Sequence, residues 1–153
     1  MRRWIPLLLL PLLSCGQKEY TAAQCSALAV PNAFVERCMG GRIDGAYIGD
    51  LKCWPFAKAQ RLNGILRVGF EHSEFFPNAT SPSEIEGAKP RIWFSDESTE
   101  PPPKALRGPP DGLTHTFFVE AEGRLSLCDG WFGHQGQYPR EFIAKRIITA
   151  RPA

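Results

Sequence analysis

The 153 residues lack every compact signature of chemistry that a local pattern can carry. No H-E-x-x-H places two imidazoles on one helix face for zinc, and no close cysteine pair opens a tetrathiolate site. No G-x-S-x-G is present for a nucleophile elbow, and no G-x-x-x-x-G-K-[ST] or strand-bound G-x-G-x-x-G for phosphates. Long apolar runs are missing too. Trp4 to Leu13 is an uncharged apolar stretch, far short of the roughly 20 residues a membrane-crossing helix needs. Pro6 and Pro11 interrupt it further. Charge runs and internal repeats are absent. Histidines number only three and methionines two, and 18 basic side chains face 16 acidic ones. That balance leaves no basic footprint for nucleic acid.

Cysteine, proline and glycine are present, with five, 14 and 14 residues respectively. Met1-Arg2-Arg3 is a positive start to the apolar run, which has the length of a signal-peptide core. The run ends in Leu12-Leu13-Ser14-Cys15, which resembles the lipobox of bacterial lipoproteins. The resemblance implies removal of residues 1–14 and lipidation of Cys15, whose sulfur then carries a diacylglycerol thioether. Two or three acyl chains make a stable anchor, at about 0.8 kcal/mol per buried CH₂. Residues 15–20 become a tether. Gly16 stands where Asp would signal inner-membrane retention, which favours the outer membrane in a Gram-negative cell. The membrane is therefore one partner, reached through the lipid.

In that compartment the remaining Cys25, Cys38, Cys53 and Cys128 read as two disulfides. Three pairings are open. Because Cys128 follows Cys53 by a long interval, one bridge ties the N-terminal part to the C-terminal half.

Residues 21–60 form a helical and irregular, disulfide-braced segment. Thr21 can cap a short helix with Ala22, Cys25, Leu28 and Ala29 on one face. Pro31 breaks it, a second turn through Phe34 and Val35 can follow, and Gly40-Gly41 ends it. Cys53-Trp54-Pro55-Phe56 reads as a buried corner.

Residues 61–153 form a β domain with period-two patterning. Leu66, Val68 and Phe70 share one face, and Arg67 and Glu71 the other. If that strand continues, His72 and Glu74 point to the Phe70 side. Arg91 to Phe94 is a short strand, and residues 95–112 are a proline-rich loop. His115, Phe117, Val119 and Ala121 alternate with Thr114, Thr116, Phe118 and Glu120. Gly123 marks a turn or bulge before Leu125 to Cys128 resumes a strand. Phe142 to Thr149 is apolar on both faces, which indicates cover on both sides.

The expected fold class is mainly β, with a minor α+β character. About five antiparallel strands close as a small barrel or curl as a sheet, behind a short N-terminal helical segment. The order of strands and loops from Leu62 to Thr149 resembles small OB-like barrels of envelope proteins.

Two sets of residues are candidates for binding or chemistry. Glu71-His72-Ser73-Glu74 joins carboxylates to an imidazole, as a general base or a metal site would. Trp131, His134 and Tyr138 lie in a loop where Gly130, Gly133 and Gly136 let backbone approach a ligand. The expected function is a lipid-anchored cell-envelope protein with a non-catalytic binding or structural role, toward a small ligand or another envelope protein, without cofactor, metal or nucleic acid. The alternative is an envelope hydrolase or metal-dependent enzyme using Glu71, His72, Glu74 and His134.

Overall fold

The computed structural model describes residues 21, 23–25, 42–43, 46–47, 54–89, 91–107 and 113–153. The expectations for residues 1–20, including Cys15, lie outside the described residues. So do Cys38, Cys53 and the second helical turn through Phe34 and Val35. The predicted cap is present. Gln24 N donates to Thr21 Oγ1 at 3.2 Å while Thr21 N donates to Gln24 Oε1 at 2.8 Å. Two donors at the helix start are thus satisfied reciprocally.

Among the described residues between 42 and 60, where an irregular chain was expected, β1 (Arg42–Ile43) and β2 (Ala46–Tyr47) pair antiparallel. The β domain consists of β3 (Gln60–Gly69), β4 (His72–Pro77), β5 (Ile92–Asp96), β6 (His115–Leu125) and β7 (Arg140–Pro152). These five close into a barrel in the order β3-β4-β5-β7-β6.

Closure corrects the antiparallel expectation. A ring with an odd number of strands cannot alternate direction throughout, so one neighbouring pair must be parallel. That pair is β5 and β7, in register from Ile92↔Arg140 to Asp96↔Ala144. The other four pairs are antiparallel.

Alternation along each strand fills the barrel. Leu66, Phe75, Phe94, Phe117, Val119, Ala121, Phe142 and Ala144 make its core. Phe142 stacks on Phe75 at 5.5 Å and lies 5.7 Å from Phe94. Gly123 lies within β6, where the register against β7 shifts. A Cβ there would come 2.8 Å from Phe142 Cζ, so the bulge and the missing side chain together let two strands bend around the ring. The strand expected to resume from Leu125 to Cys128 does not form. β6 ends at Leu125 and Ser126 makes only an isolated bridge to Phe56. The proline-rich stretch is not a plain loop either: β5 runs through Asp96, and Lys104–Arg107 is a 3-10 turn.

The largest departure from the sequence pattern lies at Phe70. The strand does not continue past Gly69. Phe70 and Glu71 form a turn, with Glu71 at φ 61, and the chain returns as β4 with Gly69 opposite His72. A two-residue turn resets the parity. Ser73 and Phe75 therefore face the barrel interior, while His72 and Glu74 face outward, opposite to expectation. Phe70 itself is 76% exposed.

The segment from 126 to 139 runs along the outer wall of the barrel. It closes on itself through Phe132 N to Tyr138 O (2.9 Å) and Tyr138 N to Phe132 O (3.2 Å). Phe132 packs edge-on against Trp54 at 5.5 Å, and Cys128 is bridged to Cys25. Trp54, Cys128, Phe132 and Ile143 are all buried. This second apolar layer covers the outward face of β7, which explains why Phe142 and Ile143 are both apolar.

Candidate functional site

Two places in the fold gather polar or exposed apolar groups. The first is the outer wall, where most of the sequence candidates meet. Glu74 is 5% exposed. Its carboxylate accepts Arg67 Nε at 2.5 Å and Tyr138 Oη at 3.0 Å, and His72 Nδ1 lies 3.5 Å away. Arg67 also lies over the Phe76 ring at 5.3 Å. Burial, the charge of Glu74 and its hydrogen bond push the Tyr138 phenol up to about 12, so it stays a donor. Tyr138 in turn packs on Trp93 at 5.1 Å. Gly133, at φ 66, lies against the Trp93 indole so closely that a side chain there would overlap the ring.

His134 Nε2 lies 3.3 Å from Glu71 Oε2. The four residues proposed for catalysis thus fall into two pairs, Glu71 with His134 and His72 with Glu74. Both Glu74 oxygens are taken by neighbours. That occupancy is what fastens a loop to a wall. No group of three His, Cys, Asp or Glu among the described residues is placed to hold a metal. Of the glycine-loop candidates, Tyr138 is buried against the wall and Trp131 is exposed.

Below this cluster lies a second buried carboxyl that the sequence did not signal. Glu141 is 5% exposed. Its Oε1 accepts Ser95 Oγ at 2.5 Å, while Oε2 has no hydrogen-bond partner among the described residues. Burial pushes the carboxyl up to about 7, against the lowering effect of the Ser95 hydrogen bond. A group whose folded value is raised contributes stability below its ordinary value near 4.5, and that stability is lost as pH rises through 7. The loss is about 2–3 kcal/mol. Glu141→Gln is expected to flatten this slope in urea denaturation measured from about pH 5 to about pH 8. An unchanged slope would place the titration elsewhere.

The second place is the barrel mouth at the β3–β4 turn. A cavity of about 1050 Å³ opens there. Its walls are interior positions of all five strands, among them Leu66, Val68, Phe94, Phe117 and Ile147. Pro102, Ala105 and Leu106 reach over it from the 3-10 turn and the residues before it. Phe70 and Leu113, the latter 64% exposed, stand on its rim. The polar lining is sparse: Ser73, Asp96, Thr114, His115 and Thr116. Ser73 donates to Phe94 O at 2.6 Å. At the opposite end a smaller cavity of about 500 Å³ is shared by Phe75, Ile85, Ile92 and Leu125, with Lys89, Arg91 and Arg140 at its edge.

Sequence reasoning missed the mouth because its members come from five strands and no local motif joins them. The signal present was parity: Phe70 continued the apolar face of Leu66 and Val68 beyond the point where the barrel could bury it. No family model, no curated protein and no solved structure matches this chain.

Proposed function

We propose that this chain is a lipid-anchored cell-envelope protein with a non-catalytic binding role, and that its barrel mouth takes a small apolar ligand. The cavity carries the reading. Its volume stands at the upper end of the range for small-molecule sites, and its lining is apolar with a few polar groups, as such sites require. Two large exposed apolar residues at one opening are the surface expected of a site that meets apolar partners.

Anchoring rests on the lipobox-like Leu12-Leu13-Ser14-Cys15. The Cys25–Cys128 bridge supports an oxidising compartment, and Gly16 supports the outer membrane of a Gram-negative cell. The closed ring with its parallel β5–β7 pair supports an OB-like layout. The saturated Glu74 speaks against the hydrolase alternative.

The test is fluorescence of N-phenylnaphthylamine, a neutral apolar probe. A saturable, blue-shifted signal is expected from the full chain. Val68→Arg should weaken it by about tenfold or more, because the guanidinium would enter the lining. Far-ultraviolet circular dichroism checks that the variant is folded. No saturable binding, or equal binding by folded Val68→Arg, overturns the reading. For the anchor, mass spectrometry of protein from its native cells should find Cys15 acylated at the amino terminus; an unmodified Cys15 removes that part.

A further inference from the structure

We infer that the barrel mouth is built for a single-chain amphiphile whose headgroup carries a positive charge, with the chain inside the barrel and the head beside Asp96. This rests on the binding reading above and adds the ligand class.

The shape of the cavity sets the apolar part. Phe94 lines the mouth, and the packed rings of Phe75 and Phe142 lie against it in the core. A chain entering between Leu66, Val68, Phe117 and Ile147 would stop at that aromatic plug. The packed rings thus close the site on its core side. An unbranched chain fits it with its polar end left at the rim, where burial costs nothing in unpaired polar groups.

The charge of the lining sets the head. Among the described residues no lysine or arginine lines the cavity, and Asp96 is the one carboxylate side chain there. Asp96 Oδ1 accepts Ser98 N at 2.9 Å and Ser98 Oγ at 2.5 Å. These bonds fix the carboxylate at the end of β5 and occupy one oxygen. Asp96 makes no ion pair among the described residues. Its neighbours differ: Glu97 is paired with Lys145, and Glu71 lies beside His134. A fixed carboxylate without a cation beside an apolar mouth attracts a cationic head and repels an anionic one. Phe70 and Phe117 add aromatic rings to the same lining, a kind of surface that attracts an alkylammonium.

The experiment compares three probes of equal chain length on the full chain carrying Cys15→Ser, so that no attached acyl group competes. Decyltrimethylammonium, decanoate and decyl maltoside are titrated below their micelle concentrations, each displacing N-phenylnaphthylamine. Decyltrimethylammonium is expected to bind about fivefold tighter than decanoate at low salt, with decyl maltoside between them. The ratio should shrink at high salt and approach one in Asp96→Asn. Equal binding of the two ions, or tighter binding of decanoate, overturns the headgroup assignment while probe binding still upholds the apolar site. A cation preference that survives in Asp96→Asn also overturns it. Failure of all three to displace a probe that does bind rejects the amphiphile, and failure of the probe itself rejects the reading beneath it.

Discussion

Phe142→Ala is expected to destabilise the fold by about 3–5 kcal/mol, a large share of what a domain of this size has. Phe142 is fully buried in the barrel core. Its ring touches Phe75 and Phe94, and the side-chain-free Gly123 gives it room. Alanine would leave a cavity that β-strands locked in a closed ring cannot collapse, so both the transfer and the cavity cost apply. Phe142→Leu keeps most of the volume and should cost far less. Guanidinium denaturation followed by circular dichroism reads both. A loss below about 1 kcal/mol for Phe142→Ala would mean that the aromatic plug is not the centre of the core.

The second large effect belongs to the disulfide. Cys25 and Cys128 are separated by 103 residues, so their bridge removes much of the freedom of the unfolded chain. A loop of that length is worth about 4–5 kcal/mol in the chain-entropy picture. The double variant Cys25→Ser with Cys128→Ala is expected to lose about 2–5 kcal/mol, serine being used only at the more exposed position. Loss should begin on the wall. Cys128 sits in the layer made by Trp54, Phe132 and Ile143, so tryptophan emission is expected to shift to the red before the β signal falls. Coincident transitions at an unchanged midpoint would contradict the bracing role. Because Cys38 and Cys53 stay intact in this variant, the effect is assigned to one bridge.

The sequence was most informative where structure is local. Thr21 announced a helix cap, and the alternation of Phe117, Val119 and Ala121 announced a strand face. Apolar residues on both sides of the last strand announced cover on both sides, which the barrel core and the Trp54 layer supply. The failures came from turns without markers and from contacts between distant strands. Phe70-Glu71 contains no glycine, proline or asparagine, yet Glu71 takes the left-handed region and reverses the chain. The faces expected for His72 and Glu74 therefore inverted, and Glu74 moved from the interior to the wall. The parallel β5–β7 pair followed from counting strands in a closed ring, which no window of residues reveals. Glu141 carried no signal because its partner Ser95 and the strand it pairs with lie about 46 residues away in the chain.

The role of the Glu71-His72-Ser73-Glu74 cluster changes with that inversion. Arg67, Tyr138 and His72 converge on Glu74, and His134 meets Glu71. The polar residues that looked like chemistry hold the glycine loop to the barrel, and the apolar residues at the other face of the same hairpin open the mouth. Sequence density of polar groups and location of the open site thus lie on opposite sides of β4.

A crystal structure of the chain with N-phenylnaphthylamine tests the central claim most directly. The expected result is one probe molecule inside the mouth, in contact with Leu66, Val68, Phe94 and Ile147, with Phe70 and Leu113 beside it. A probe seated instead against Trp93, Trp131 and Tyr138, or an empty mouth at saturating probe, would contradict it.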